Sequence, residues 1–319
     1  MIEPESSPEP EEIPLRRIRV LLATYNGARY LDEQLHSLAA QDVAAALDII
    51  ASDDGSTDGT RALLEGWQRR WRRGRFTIVA GPRQGFTENF RSLMRMPEAA
   101  GDYVAFCDQD DVWMPDKLAT ALAVLSAMPG PGLYCSRTQR VDAALRPIGF
   151  SPLFRRPPHF RNALVQSIAG GNTMVMNAPA FALVAESARR TSFVSHDWWC
   201  YLLISGAGGR VHYDPEPHVA YRQHGGNAVG DNVGWRARWQ RLKMSLAGRF
   251  AEWNAVNLAA LEACRDLLTA EARDTMRLFA LARQAGPLRG LATIVKSGIY
   301  RQSLPGNVSL VLAALLRKI

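Results

Sequence analysis

The sequence predicts an α/β protein with a mostly parallel sheet flanked by helices and a helical C-terminal extension. Short apolar runs alternate with segments of helical spacing from Ile18 to Cys107, the pattern of strands joined by crossover helices. Three of those runs end in polar clusters, two of them acidic, and in such sheets ligands sit at the C-terminal strand ends. From Trp235 onward helical periodicity dominates.

Residues 18–23 (IRVLLA) are too few for a helix and end at the turn signal Thr24-Tyr25-Asn26-Gly27, so they form a buried strand. Tyr30, Leu31, Leu35 and Leu38 have helical spacing within 29–41, and 47–51 is a second strand, which completes a βαβ unit. A helix opened by Thr57-Asp58, a strand at 76–80, a helix over 87–95 and a strand at 103–107 continue the alternation. A helix follows from Lys117 to about 128, then a strand around 133–139, and the Pro-, Arg- and Phe-rich stretch 146–160 reads as a loop. Gly170-Gly171-Asn172 leads into a strand at 173–176, with helices near 179–189 and after Ser195-His196-Asp197. No internal repeat is visible.

With 319 residues, 47% of them hydrophobic and 22% charged, the chain has material for a large core, in one large domain or in one domain with an appendage. No apolar run reaches the ~20 residues of a spanning helix. The net charge of +7 is unevenly spread. Residues 1–14 carry five glutamates, four prolines and no base, the composition of a disordered acidic tail without the basic-then-apolar order of a signal peptide. From Trp235 there are fourteen Lys and Arg against five Asp and Glu. The expected organisation is therefore a tail over 1–14, a catalytic domain over 15–234 and a basic helical extension over 235–319. Such an extension is either a solvated helical face, packed on the domain or on a second copy in a homodimer, or a surface for anionic lipid. Trp235, Trp239 and Phe250 interleaved with Arg236, Arg238, Arg241, Lys243 and Arg249 fit an interfacial helix. Nucleic acid is not an expected partner, because no zinc spacing or recognition motif accompanies the charge. The four cysteines show no CxxC pairing and no export signal precedes them, which is the usage of reduced thiols in a cytoplasmic protein.

Asp108-Gln109-Asp110 sets two carboxylates two residues apart at a strand end, where both can reach one hard cation that also takes phosphate oxygens. Asp111 adds a third acid, and Trp113-Met114-Pro115-Asp116-Lys117 starts a helix. With Asp53 and Asp54 this puts five carboxylates on one sheet edge, which repel one another unless a cation or hydrogen-bond donors offset them. The first βα turn, Thr24 to Arg29, lacks G-x-G-x-x-G, and no G-x-x-x-x-G-K-[ST] occurs, which excludes a dinucleotide-dependent oxidoreductase and a P-loop nucleotidase.

Residues 18–227 resemble the family 2 glycosyltransferases of GT-A fold. Ala23-Thr24-Tyr25-Asn26-Gly27 looks like that family's opening motif, Ser52-Asp53-Asp54-Gly55-Ser56 like its Asp-Asp-Gly-Ser segment, and Phe106-Cys107-Asp108-Gln109-Asp110-Asp111-Val112-Trp113 like its metal motif. The Asp-Gln-Asp-Asp-x-Trp form is similar to bacterial rhamnosyltransferases of O-antigen and capsule assembly, as are Gly85-Phe86 and Asn89-Phe90 upstream and Tyr221-Arg222-Gln223-His224 downstream. The resemblance implies an inverting transferase that uses a nucleotide-diphosphate sugar, dTDP-L-rhamnose foremost and a UDP-hexose otherwise. It also implies a glycan or lipid-linked oligosaccharide as acceptor, at the cytoplasmic, inner face of the membrane. Asp108 and Asp110, with His224 as a third ligand, would hold Mg²⁺ or Mn²⁺. Thr24, Tyr25, Asn26, Asp53, Asp54, Asn89, Asp108, Gln109 and Arg222 would bind the donor, with Gly170-Gly171-Asn172 letting the backbone approach its sugar.

Asp197 stands where the family places its catalytic base, although His196 replaces the usual preceding Glu. The residue types leave alternatives open. Asp53 and Asp54 also suit turn formation and capping; Asp197 suits a helix cap, with Trp198 and Trp199 as core or one of them stacked on a sugar. His224 is alternatively a phosphate contact or a solvent-facing loop residue. The rival function, a non-catalytic sugar-nucleotide binder, would be expected to lose the metal acids or the base, and Asp108, Asp110 and Asp197 are all present.

Overall fold

The computed structural model describes residues 16–224 and 249–319. The acidic tail, the 234/235 boundary and the run from Trp235 to Lys243 lie outside them. The catalytic region runs β1 (Arg17–Thr24), α1 (Leu31–Ala39), β2 (Ala46–Asp53), α2 (Thr60–Arg70), β3 (Phe76–Ala80), α3 (Phe86–Met94), β4 (Tyr103–Cys107), β5 (Val112–Trp113), α4 (Lys117–Ser126). It continues with β6 (Gly132–Val141), β7 (Pro147–Phe150), α5 (Phe160–Ala163), β8 (Val175–Asn177), α6 (Ala178–Arg190), α7 (His196–Gly206) and β9 (Arg210–Arg222). Four helices follow: α8 (Arg249–Ala263), α9 (Ala270–Gln284), α10 (Pro287–Ser297) and α11 (Leu304–Leu315).

The strands form one sheet in the order β3-β2-β1-β4-β8-β6-β9-β5, with β7 beside β6. The alternation of side chains along β1, β2 and β4 sends residues to opposite faces. Leu21, Ile50, Val104 and Phe106 enter one apolar cluster, and Ile18, Val20, Leu22, Ile49, Ala105 and Cys107 enter the other. Both faces are therefore covered, which is why these strands read as predominantly apolar runs, interrupted by the paired Arg19 and Asp48. The first cluster extends without a break into Leu261, Phe279, Ile294 and Leu310, so the C-terminal helices share a core with the sheet. All four cysteines are free and buried. Among the described residues, no helix is long and apolar enough to cross a membrane.

The sheet is mixed. β3, β2, β1 and β4 are mutually parallel, as the helix-linked alternation predicts, but β8 is antiparallel to both β4 and β6, and β5 is antiparallel to β9. Past β4 the chain no longer returns through a helix after every strand, so parallel pairing is not enforced. The 146–160 loop contains β7, an edge strand paired on one side to β6.

Candidate active site

Thr24 ends β1, and the next four backbone N–H groups all donate to side chains. Tyr25 N reaches Gln109 Oε1 at 2.8 Å, Asn26 N reaches Ser56 Oγ at 2.9 Å, Gly27 N reaches Thr60 Oγ1 at 2.8 Å and Ala28 N reaches Asp58 Oδ2 at 3.1 Å. Gln109 Nε2 donates back to Tyr25 O at 2.9 Å, and Asn26 Oδ1 accepts from Thr57 N at 2.8 Å, which supports the left-handed φ of 47° at Asn26. A Cβ at Gly27 would overlap the Gln109 amide. These four amides are therefore committed within the protein, while the Tyr25 side chain stands 57% exposed.

At the end of β2, Thr24 Oγ1 donates to Asp53 Oδ1 at 3.2 Å, and Ser56 N donates to Asp53 Oδ2 at 3.3 Å. Asp54 accepts from the backbone of the β3–α3 loop, Arg83 N at 2.5 Å and Gly85 N at 3.0 Å. Asn89 is buried and spans from α3 to β2, donating to Ser52 O at 3.1 Å and accepting from Ser52 Oγ at 2.5 Å. The turn-forming role open to Asp53 and Asp54 is therefore present in the structure.

Asp108, Asp110 and Asp111 leave the end of β4. Burial and the Asp110 charge raise the Asp111 carboxyl to about 7, although it accepts from Asn172 Nδ2 and, at 3.1 Å, from Arg222 N. Burial pushes the Asp108 carboxyl well up as well, with further upward pressure from the charges of Asp111, Asp110 and Asp197. Asp197, in the first turn of α7, is thus close enough for its charge to act on Asp108. Its half-buried carboxylate has no hydrogen-bond partner among the described residues. His224 Nε2 lies 2.8 Å from Asp110 Oδ2, and its ring centroid is 4.8 Å from that of Tyr30. Among the described residues, no three His, Cys, Asp or Glu side chains stand ready as a metal cage. The chemistry of the set fits a divalent cation all the same: hard carboxylate oxygens held together against their mutual repulsion.

Two cations lie behind the acids, and both are committed to the protein. Lys117 is fully buried, with Nζ donating to Asn172 O at 2.7 Å and lying 3.0 Å from the centroid of the Trp113 ring; burial pushes its pKa well down. Arg222, 1% exposed, donates from Nε to Asp110 O at 2.8 Å and from Nη1 to Ala143 O at 2.7 Å, pairs with Glu33 and lies over Tyr30. Glu33, Tyr30 and Lys117 are parts of this site that reading the sequence did not single out, and Asn172, expected there for its backbone, contributes its side-chain amide to Asp111. The one available signal was Lys117 itself, a lone charge opening the apolar helix KLATALAVL.

His196 is buried and neutral: desolvation lowers its pKa from 6.5 to about 4. Its ring stacks on Phe90 at 3.9 Å and meets Phe106 edge-on at 5.0 Å, and neither ring nitrogen has a partner. Gly171 packs against this imidazole so closely that a Cβ would overlap it. Trp198 and Trp199 are both core, with Nε1 donating to Ala163 O at 2.6 Å and to Ser187 Oγ at 2.9 Å.

Residues 19–181, just over half of the chain, match the family model described as glycosyl transferase family 2. The chain belongs to glycosyl transferase family 2. This glycosyltransferase is similar to the dTDP-rhamnosyl transferase RfbG of Shigella flexneri, 28% identical over 239 residues that cover 69% of this chain and 78% of that one. It is 26% identical over 210 residues to Rv1520, an uncharacterized protein of Mycobacterium tuberculosis, covering 64% of this chain and 58% of that relative's length. Among solved structures it is similar to S. aureus TarS 1-349 in complex with UDP-GlcNAc, with TM-score 0.54 and 15% identity over 95% of this chain and 90% of that one. That last likeness is one of fold, and it bears out the GT-A architecture expected from the motifs.

Proposed function

We propose that this glycosyltransferase moves L-rhamnose, with inversion, from dTDP-L-rhamnose to a hydroxyl of a growing, lipid-linked cell-surface glycan at the cytoplasmic face of the membrane. The observation that supports the reading is the gathering of Asp108, Asp110 and Asp111 at the end of β4, with the Asp197 charge from α7 acting on Asp108. The relative named for dTDP-rhamnosyl transfer supports the choice of donor.

Asp197 is the general base, since its carboxylate has no other hydrogen bond to give up. It takes the acceptor proton as the acceptor oxygen bonds to the anomeric carbon, and the sugar–phosphate C–O bond breaks with its electron pair leaving on the nucleoside diphosphate. Asp108 and Asp110, with His224, would hold Mg²⁺ or Mn²⁺, which when bound offsets the charge of the departing diphosphate. Thr24, Tyr25, Asn26 and Asp53 form the wall for base and ribose. Asp54 and Asn89 hold that wall in place, Gln109 fixes Tyr25, and Arg222 orients Asp110 through its carbonyl.

Nucleoside-diphosphate release from dTDP-rhamnose, UDP-glucose, UDP-GlcNAc and GDP-mannose, with Mn²⁺ or with EDTA, tests this. The expected result is release from dTDP-rhamnose alone, lost in EDTA. Faster release from a UDP-hexose would replace the donor, release unaffected by EDTA would remove the metal, and failure to bind any of the four would overturn the function.

A further inference from the structure

The last two helices carry an apolar surface that no other described residue covers. On α11 and its C-cap, Leu304, Val308, Leu312 and Leu316 recur every fourth residue and are 78%, 53%, 51% and 55% exposed. The other side of the same helix buries Leu310 and Ala314 in the core. On α10, which packs against α11, Leu288 and Val295 lie two turns apart on one face and are 80% and 71% exposed, while Ile294 is buried. Single exposed leucines are ordinary; an apolar arc running the length of one helix and continuing on its neighbour marks a docking surface.

Charge identifies what docks. From Thr275 to Ile319 the chain has seven Lys and Arg and no Asp or Glu. Arg289 follows Leu288, Lys296 follows Val295, and Arg317 and Lys318 follow Leu316, so cations border the apolar arc. A second copy of the chain placed symmetrically on this face would set the same cations against themselves. An anionic phospholipid surface meets both features, leucines in the acyl boundary and bases among the phosphates. No described helix can span a bilayer, so the pair would lie in the interface.

We propose that α10 and α11 dock the protein on an anionic phospholipid surface. This is a different element from the 235–250 run whose sequence looks interfacial. The inference draws on the proposed function only for its use, bringing the site to a lipid-linked acceptor; lipid binding itself is measured without donor or acceptor.

The test is co-sedimentation of the full chain with vesicles of phosphatidylcholine alone, or of roughly seven parts phosphatidylcholine to three of phosphatidylglycerol. Wild type is expected to sediment with the anionic vesicles. Leu304→Gln/Leu312→Gln should weaken that about tenfold or more, and Arg289→Gln/Lys296→Gln should weaken it roughly tenfold on anionic vesicles only. Both variants should keep wild-type circular dichroism and nucleotide release, because the substituted side chains are exposed and lie outside the acidic edge. Absence of vesicle binding, or leucine variants that bind like wild type, would overturn the proposal. So would a concentration-dependent dimer dissolved by the leucine variants, which puts a second copy on this face. Vesicle binding without dTDP release would leave this inference standing and sink the proposed donor instead.

Discussion

Replacing His196 by leucine should make the fold less sensitive to acid. The imidazole lies between Phe90 and Phe106 with both nitrogens unpartnered, and burial lowers its pKa from 6.5 to about 4. Between those values the unfolded chain binds a proton that the folded one refuses, so folding stability is full above 6.5 and falls as the pH drops toward 4. A gap of that size corresponds to about 3 kcal/mol at 1.36 kcal/mol per pKa unit. His196→Leu keeps the ring contacts apolar and removes two buried, unsatisfied nitrogens, so at pH 7 the variant should be at least as stable as wild type. Urea unfolding of both proteins from pH 7.5 down to 4 isolates the histidine, because carboxylates elsewhere contribute equally to each. Wild type should lose about 3 kcal/mol more than the variant over that range. Parallel loss in the two proteins, or a variant much less stable at pH 7, would show that the buried imidazole does not set the acid sensitivity.

Gln109→Ala removes two hydrogen bonds, of 2.8 and 2.9 Å, that hold the Tyr25 backbone. At ~0.5–1.5 kcal/mol each, the donor KM should rise about 5- to 100-fold with kcat little changed, as initial rates over a donor series would show. Gly171→Ala drives a methyl into the His196 imidazole and should cost roughly 1–3 kcal/mol in thermal or urea unfolding. Adding His196→Ala should restore most of that loss if the clash is with the ring. Asp54→Ala frees the Arg83 and Gly85 amides and should expose the 81–85 loop to limited proteolysis while leaving the β1–β4 core resistant.

The strands buried on both faces are the ones legible in the sequence. Leu21 and Leu22 point to opposite apolar clusters, so β1 has no polar face to break its run, and the same holds for β2 and β4. Motifs at their ends were legible because the chain leaves each strand at the ligand edge. β9 carries Arg210, His212, Asp214, Glu216 and two prolines, so its burial alternates weakly and its sequence does not read as a strand. β5 is two residues long and exists through its pairing with Val219 and Ala220. The network of Lys117, Asn172, Asp111 and Arg222 joins residues 55 to 111 positions apart, and no local pattern announces it. Asn89 and Gln109 drew attention as donor contacts; their partners, Ser52 and the Tyr25 backbone, are visible only in three dimensions.

Asp197, as the base beside the β4 acids, is the residue on which transfer turns. Asp197→Asn keeps the side-chain shape and removes the proton acceptor, so dTDP-rhamnose should bind the variant within about twofold of wild type by calorimetry while turnover falls roughly 10²–10⁴-fold. Turnover within tenfold of wild type, at unchanged donor affinity, would contradict the assignment and place the base elsewhere.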